Sequence, residues 1–139
     1  TAKDAIIFII LQILGAGLGV LIAHAMFELD IFQISSKLRQ GASQGFSEII
    51  ATFGLILVIF GGLKLRADAI PALVGFYITS AYWFTASTSF ANPAVTLARS
   101  LSDTFAGINP SNIIMFISCQ FIGMLVALIL VKYIFSEKE

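Results

Sequence analysis

Four stretches of this chain of 139 residues contain no Asp, Glu, Lys or Arg: residues 5–27, 49–63, 69–98 and 104–131. A helix needs about 20 mainly apolar residues to cross a hydrocarbon core of roughly 30 Å. Runs of this kind, in a chain that is 58% hydrophobic and 12% charged with a mean hydropathy of +0.97, point to an all-α membrane protein and exclude an ordinary soluble domain. The net charge of zero gives no basis for a nucleic-acid partner, and membrane lipid is the expected surrounding. Cys119 stands alone inside an apolar run, so there is no disulfide framework, and it reads as a small core residue. Lys3 and Asp4 lead straight into a run longer than a signal-peptide core, with no small-residue cleavage pattern after it.

Four spanning helices are expected. The first runs from about Asp4 to Leu29 and is followed by the polar connection DIFQISSKLRQGASQG. The second starts near Phe46 or Ser47 and ends near Gly61 and Gly62; GLKLRAD then makes a charged turn into a third, from about Ala69 to Ala86. The last follows AGINPS, where Asn109 has the character of an N-cap with Pro110 in the first helical position, and runs to about Tyr133. Residues 135–139 form a charged tail.

Residues 69–98 are too long for one span, since thirty residues of helix measure about 45 Å. The polar cluster TASTS breaks the run, and Pro93 begins a new helix of about ten residues with Asn92 as its N-cap. Ten residues reach about 15 Å, half the membrane, so a loop that dips in and a half-helix that climbs out fit the length. Backbone of this kind is tolerated at depth only when protein surrounds it or water lines it.

Counting Lys and Arg on alternating sides places Lys3, Lys64, Arg66, Lys132 and Lys138 on one face and Lys37 and Arg39 on the other. The positive-inside tendency then makes the C-terminus cytoplasmic in a multi-pass protein of the plasma membrane.

Residues 8–23, FIILQILGAGLGVLIA, and 116–131, FISCQFIGMLVALILV, share Phe8/Phe116, Ile9/Ile117, Gln12/Gln120 and Gly15/Gly123. A glutamine is uncommon in a span, and its recurrence suggests that the first and last helices are equivalent members of an inverted repeat. The expected division is 1–30 as the last helix of a first repeat, 31–45 as an outer loop, and 46–134 as a complete second repeat. On that division about two spans and a partner half-helix are missing upstream of Thr1.

Asn92-Pro93-Ala94 in a re-entrant loop, SEIIATFGLILV with Glu48 early in the second helix, and the repeated FxxxQxxG element together resemble the major intrinsic protein family, the aquaporins and glycerol facilitators. The resemblance covers the whole chain as spans three to six of a six-span fold. It is nearest to a bacterial branch reading FANPAVTLAR in the second loop. It implies an incomplete aquaporin-like inverted repeat and a homotetramer of the complete protein. Asn92, Pro93 and Ala94 would form the pore element, the half-helix N-terminus repelling cations and the Asn92 amide donating to passing oxygens; the plain alternative is an N-cap and no more. Glu48 would accept backbone N–H groups of the loop, or else lie at the outer boundary. Tyr82, seven residues after Gly75, would line the outer constriction, with Ser80 and Thr79 as alternatives, or else it belongs with Trp83 to an aromatic belt at the outer boundary. His24 reads as an interfacial residue near the outer end of the first span. Gly15, Ala16, Gly17, Gly19, Ala23, Gly54, Gly61, Gly75 and Gly123 read as close helix packing.

Most of the family has arginine directly after the Asn-Pro-Ala triplet. Here Val95 occupies that place and Arg99 follows one turn later, able either to reach the outer mouth or to pair with Asp103 at i, i+4. The selectivity filter would then comprise Val95, Tyr82 and Arg99. Its expected cargo is water with small neutral solutes, such as glycerol-sized polyols or undissociated metalloid acids. A secondary transporter would need deep carboxylates, a potassium channel a TVGYG-like filter, and a membrane enzyme a cluster of His, Cys, Asp or Glu; one His and one Cys do not supply it. No enzymatic activity, cofactor or metal is therefore expected. The serious rival is a non-conducting piece that needs the missing N-terminal half.

Overall fold

The computed structural model describes residues 1–135 and is built of helices, with no strand among the described residues. The tail at 136–139 lies outside them. Helix α1 spans Ala2–Met26, α2 Ala42–Leu65, α3 Ile70–Phe84, α4 Pro93–Arg99 and α5 Ile113–Phe135. Short 3-10 turns at Ala67–Ala69 and Pro110–Asn112 lead into α3 and α5.

α1 starts two residues earlier than the apolar run suggests because Thr1 and Asp4 close a capping box. α2 starts at Ala42, well before the expected Phe46. This first turn is helical although its Ala42 and Ser43 are exposed, and two polar side chains of α2 meet the chain after α3: Gln44 Nε2 donates to the Ala86 carbonyl at 2.9 Å, and Ser47 Oγ accepts from Ala86 N–H at 3.1 Å. The helix also runs on through Gly61 and Gly62 to Leu65.

α1, α2 and the Pro110–Phe135 segment are long and apolar enough to cross a membrane. The fourth expected span is shorter: α3 has 15 residues, and it ends at Phe84 where Thr85 turns extended and bonds back to the Ala81 carbonyl. At 1.5 Å per residue that is about 22 Å, extended toward 28 Å by the preceding 3-10 turn.

α2 packs along α5, α3 packs on the other side of α2, and α4 lies between α5 and α1. The α2–α5 seam is tight at Gly123, where a Cβ would collide with the Ile49 carbonyl oxygen, and α2 meets α3 at Gly54, where it would collide with the Tyr77 hydroxyl. That hydroxyl donates to the Ala51 carbonyl at 2.9 Å. The other glycines read as packing positions, Gly15, Gly17, Gly19, Gly61 and Gly75, have open space beside them instead. Most of α1 is correspondingly uncovered, with His24 its one buried residue. Phe90, Ile108 and Phe116 form the buried apolar cluster, with Val95 and Met115 packed against it.

A candidate pore element around the half-helix

The segment between α3 and α4 carries three non-glycine residues in the left-handed region, Thr88 (φ 62°), Ser89 (φ 47°) and Ala91 (φ 49°). Such a conformation costs on the order of 1–3 kcal/mol per residue and persists only where its surroundings over-determine it. Glu48 supplies much of that restraint. It is fully buried in α2; Oε1 accepts from Ser87 Oγ at 2.6 Å and Phe90 N at 2.9 Å, and Oε2 from Ala91 N at 2.9 Å and Gln120 Nε2 at 2.7 Å. Every neighbour donates, the pattern that two carboxylate oxygens satisfy.

Asn92 follows in extended backbone and caps α4: its Oδ1 accepts from Ala94 N at 2.7 Å and Val95 N at 3.3 Å. Pro93 sits where a helix has no use for an N–H. With the oxygen engaged, the Asn92 amide nitrogen points outward and donates to Gln12 Oε1 at 3.2 Å. On the other flank Gln120 Nε2 also donates to Thr96 Oγ1 at 2.9 Å. The two glutamines of the repeated element thus touch the half-helix from α1 and from α5. Two clefts open beside Asn92 and Pro93, one of about 230 Å³ toward Gln12 and Leu97, the other of about 150 Å³ toward Thr52, Gln120 and Met124.

α4 stops at Arg99, so Asp103 is not one helical turn farther on, and of the two alternatives for Arg99 the pairing with Asp103 is not the one formed. Asp103 instead accepts from Ser36 N at 2.8 Å and Ser36 Oγ at 2.9 Å. Those bonds, the backbone one foremost, hold its carboxyl below the ordinary carboxylate range. Arg99 turns toward the Phe90 ring, 4.3 Å from its centroid, makes one long bond to Thr88 Oγ1 at 3.5 Å, and lines a cavity of about 520 Å³ with Val20, His24, Phe27, Ser102 and Phe105. Val95 is half-buried and packs against the Phe90 cluster. Tyr82 is half-buried, its ring 6.4 Å from that of Phe105. Thr79 and Ser80 are exposed, and their hydroxyls bond back to the Gly75 and Phe76 carbonyls.

Two further polar side chains are buried that their sequence reading did not place in the interior. His24 is buried rather than interfacial: Nδ1 meets the Ile31 carbonyl at 2.9 Å and Nε2 meets Ser102 Oγ at 2.9 Å. Because a carbonyl only accepts, the bond network assigns the proton to Nδ1 and makes Ser102 the donor to Nε2. Arg39, counted only with Lys37 on one side of the membrane, is 4% exposed. Its Nε donates to Gly107 O at 2.7 Å, Nη1 to Ser87 O at 2.8 Å and Nη2 to Phe105 O at 2.9 Å. The signal was present in the outer connection: Gln33, Ser35, Lys37 and Arg39 alternate with exposed Ile34, Ser36, Leu38 and Gln40, a period of two with the polar side turned inward.

A short helix capped by an asparagine, entered through a strained loop and braced by a buried glutamate from a neighbouring long helix, stands at the centre of a bundle with three helices long and apolar enough to span a membrane. The chain is 46% identical over 134 residues, 96% of its length, to the aquaglyceroporin AqpS of Rhizobium meliloti (strain 1021). It spans 58% of the length of that relative. No protein-family model matches the chain, and no solved structure does. With this relative and this geometry together, the chain belongs to the major intrinsic protein family and is part of a multi-pass membrane protein.

Proposed function

We propose that this chain supplies one re-entrant arm of a passive pore for water and small uncharged solutes, among them glycerol-like polyols or neutral metalloid acids. The observation that carries the reading is the divided use of the Asn92 side chain: its oxygen is consumed by the α4 N-terminus, which leaves the amide as an outward donor between two clefts. An oxygen-bearing solute can take that hydrogen bond, while a cation meets the positive end of α4. The name of the relative, an aquaglyceroporin, favours solutes larger than water. The outer mouth agrees, since the guanidinium that lines the cavity there comes from Arg99, while Val95 packs into the Phe90 cluster. In this reading the C-terminus is cytoplasmic and α4 enters from the outer face.

Pore closure requires a complementary segment, on the inverted-repeat division at 1–30 and 46–134. α5 buries Phe116, Gln120, Gly123 and Ala127. The corresponding α1 positions, Phe8, Gln12, Gly15 and Gly19, form an equivalent face on which Phe8 is exposed and both glycines have open space beside them. A first repeat carrying its own α2-like helix would cover that face.

Stopped-flow light scattering on proteoliposomes tests the channel reading. Water and glycerol permeability above that of empty vesicles is expected, with Asn92→Ala lowering both. Permeability equal to empty vesicles, with and without a first-repeat segment supplied, sinks it.

A further inference from the structure

Arg39 is the most heavily engaged side chain at the outer end of the protein, and nothing in the channel reading above uses it. Its three guanidinium nitrogens reach three carbonyls on two segments: Ser87, in the strained loop that leads into α4, and Phe105 and Gly107, in the return that leaves it. Its own N–H donates to Asn112 Oδ1 at 3.0 Å, which ties the outer connection to the start of α5. Ser87 is therefore gripped twice, its hydroxyl by Glu48 and its carbonyl by Arg39. None of the three acceptors is a carboxylate, so the charge is satisfied by backbone dipoles and not cancelled by an ion pair.

The second observation concerns Phe90. The Arg39 guanidinium carbon lies 5.0 Å from the centroid of this ring and that of Arg99 lies 4.3 Å from it. A cation near an aromatic face is held at about 0.5–2 kcal/mol, more when desolvated, and Phe90 is buried. Arg99, by contrast, has one long hydrogen bond to Thr88. Its place beside the cavity is thus set mainly by the ring it shares with Arg39. Burial first and then Arg99 lower the Arg39 pKa from its ordinary value, a direction that fits two cations in mutual range.

We propose that Arg39 is a specificity-determining positioning residue of the outer mouth, which clips the two ends of the half-helix together and, through the shared Phe90 ring, fixes where the Arg99 guanidinium stands. The proposal rests on the channel reading. Arginine suits the task and lysine does not, because only a planar fork reaches carbonyls in several fixed directions at once.

The test is the ratio of glycerol to water permeability in proteoliposomes carrying the full chain together with a first-repeat segment. A ratio is insensitive to how much protein folds, so simple destabilisation leaves it unchanged. Arg39→Lys is expected to shift it severalfold while both fluxes stay above those of empty vesicles. The shift should vanish when Arg99→Ala is already present, since Arg39 acts through Arg99. Phe90→Leu keeps the three carbonyl bonds but removes the shared ring, and should shift the ratio in the same direction; it also serves if the Arg39 variant fails to fold. An unchanged ratio in the variants, or an Arg39→Lys shift of equal size with and without Arg99, overturns the proposal alone. A parent protein that conducts neither solute overturns the channel reading, and this proposal falls with it.

Discussion

Gln120 and Glu48 meet across the α2–α5 seam at 2.7 Å, and the same glutamine amide reaches Thr96 on the half-helix at 2.9 Å. One side chain therefore couples the glutamate that restrains the re-entrant loop to the helix that loop produces. The seam closes this far because Gly123, one turn away on α5, lets the backbone of α5 approach that of α2 at Ile49.

Glu48→Gln tests this coupling. An amide in place of the carboxylate sets an NH2 group against neighbours that all donate, and at least one buried donor loses its acceptor. Hydrogen bonds to charged groups are worth roughly 1.5–3 kcal/mol each, so a destabilisation on the order of 3 kcal/mol is expected. Chemical denaturation in detergent, followed by Trp83 fluorescence, would show it as an earlier midpoint, with water permeability falling in parallel. A variant with the parent's midpoint and flux would show that the three left-handed residues hold without the carboxylate.

The start of α4 at Pro93 was legible in the sequence because its signals are local, although the helix runs for seven residues and not the expected length of about ten. Proline has no N–H to satisfy, asparagine can cap, and a thirty-residue uncharged run cannot be one straight helix. Gln12 and Gln120 were legible as a repeat, and both touch α4 from opposite sides. Arg39 and His24 were not legible, since what buries them is distant in sequence: Arg39 is covered by residues 48 to 68 positions away and His24 by Ser102, 78 positions away. The ASQG turn was misread for a related reason. Gln44 bonds to Ala86, 42 positions away, and nothing in composition sets it apart from a residue that faces water. Spacing alone left Arg99 two alternatives, and pairing with Asp103 is not the one adopted because i, i+4 spacing means proximity only while a helix continues, and this one ends at Arg99.

Glycine substitutions should separate the closed seam from the open face. Gly123→Ala drives a methyl group into the Ile49 carbonyl and forces α5 away from α2, a cost of about 1–3 kcal/mol by the usual penalty for overpacking. Gly15→Ala meets nothing and removes a glycine from a helix interior, so it should leave the chain's own unfolding midpoint unlowered or slightly raised. If the uncovered α1 face receives a first repeat, Gly15→Ala should nevertheless weaken co-purification with such a segment. Equal unfolding midpoints for the two variants would deny that Gly123 is a point of close approach.

The connections before α2 and after α4 carry an acid-sensitive link between Ser36 and Asp103. The Asp103 carboxyl is held below the usual range by Ser36 N–H and then by the Ser36 hydroxyl. A carboxyl with a depressed folded-state value stabilises above its unfolded value of about 3.9 and loses that contribution as pH falls through the folded value. The Ser36 amide should therefore keep its hydrogen-exchange protection factor from neutral pH down to about pH 4 and lose it below. Asp103→Asn should remove that acid step. A protection factor that declines already between pH 7 and pH 5 would assign the link to another group.

Position 95 and position 99 make opposite predictions. Val95 packs against Phe90, Ile108 and Phe116, whereas Arg99 lines the outer cavity. Val95→Arg brings a guanidinium against an apolar cluster, and an unpaired charge held there costs several kcal/mol. Water and glycerol permeability should then fall together, along with the thermal midpoint. Arg99→Val removes the one guanidinium that lines the cavity and should raise glycerol flux relative to water with little change in stability. Both ratios come from the same stopped-flow assay, with unfolding measured on the same preparations. If Val95→Arg keeps water flux and the parent's midpoint while abolishing glycerol flux, residue 95 faces the solute path after all. The mouth would then be set by the triplet's own next residue and not by the arginine one turn beyond it.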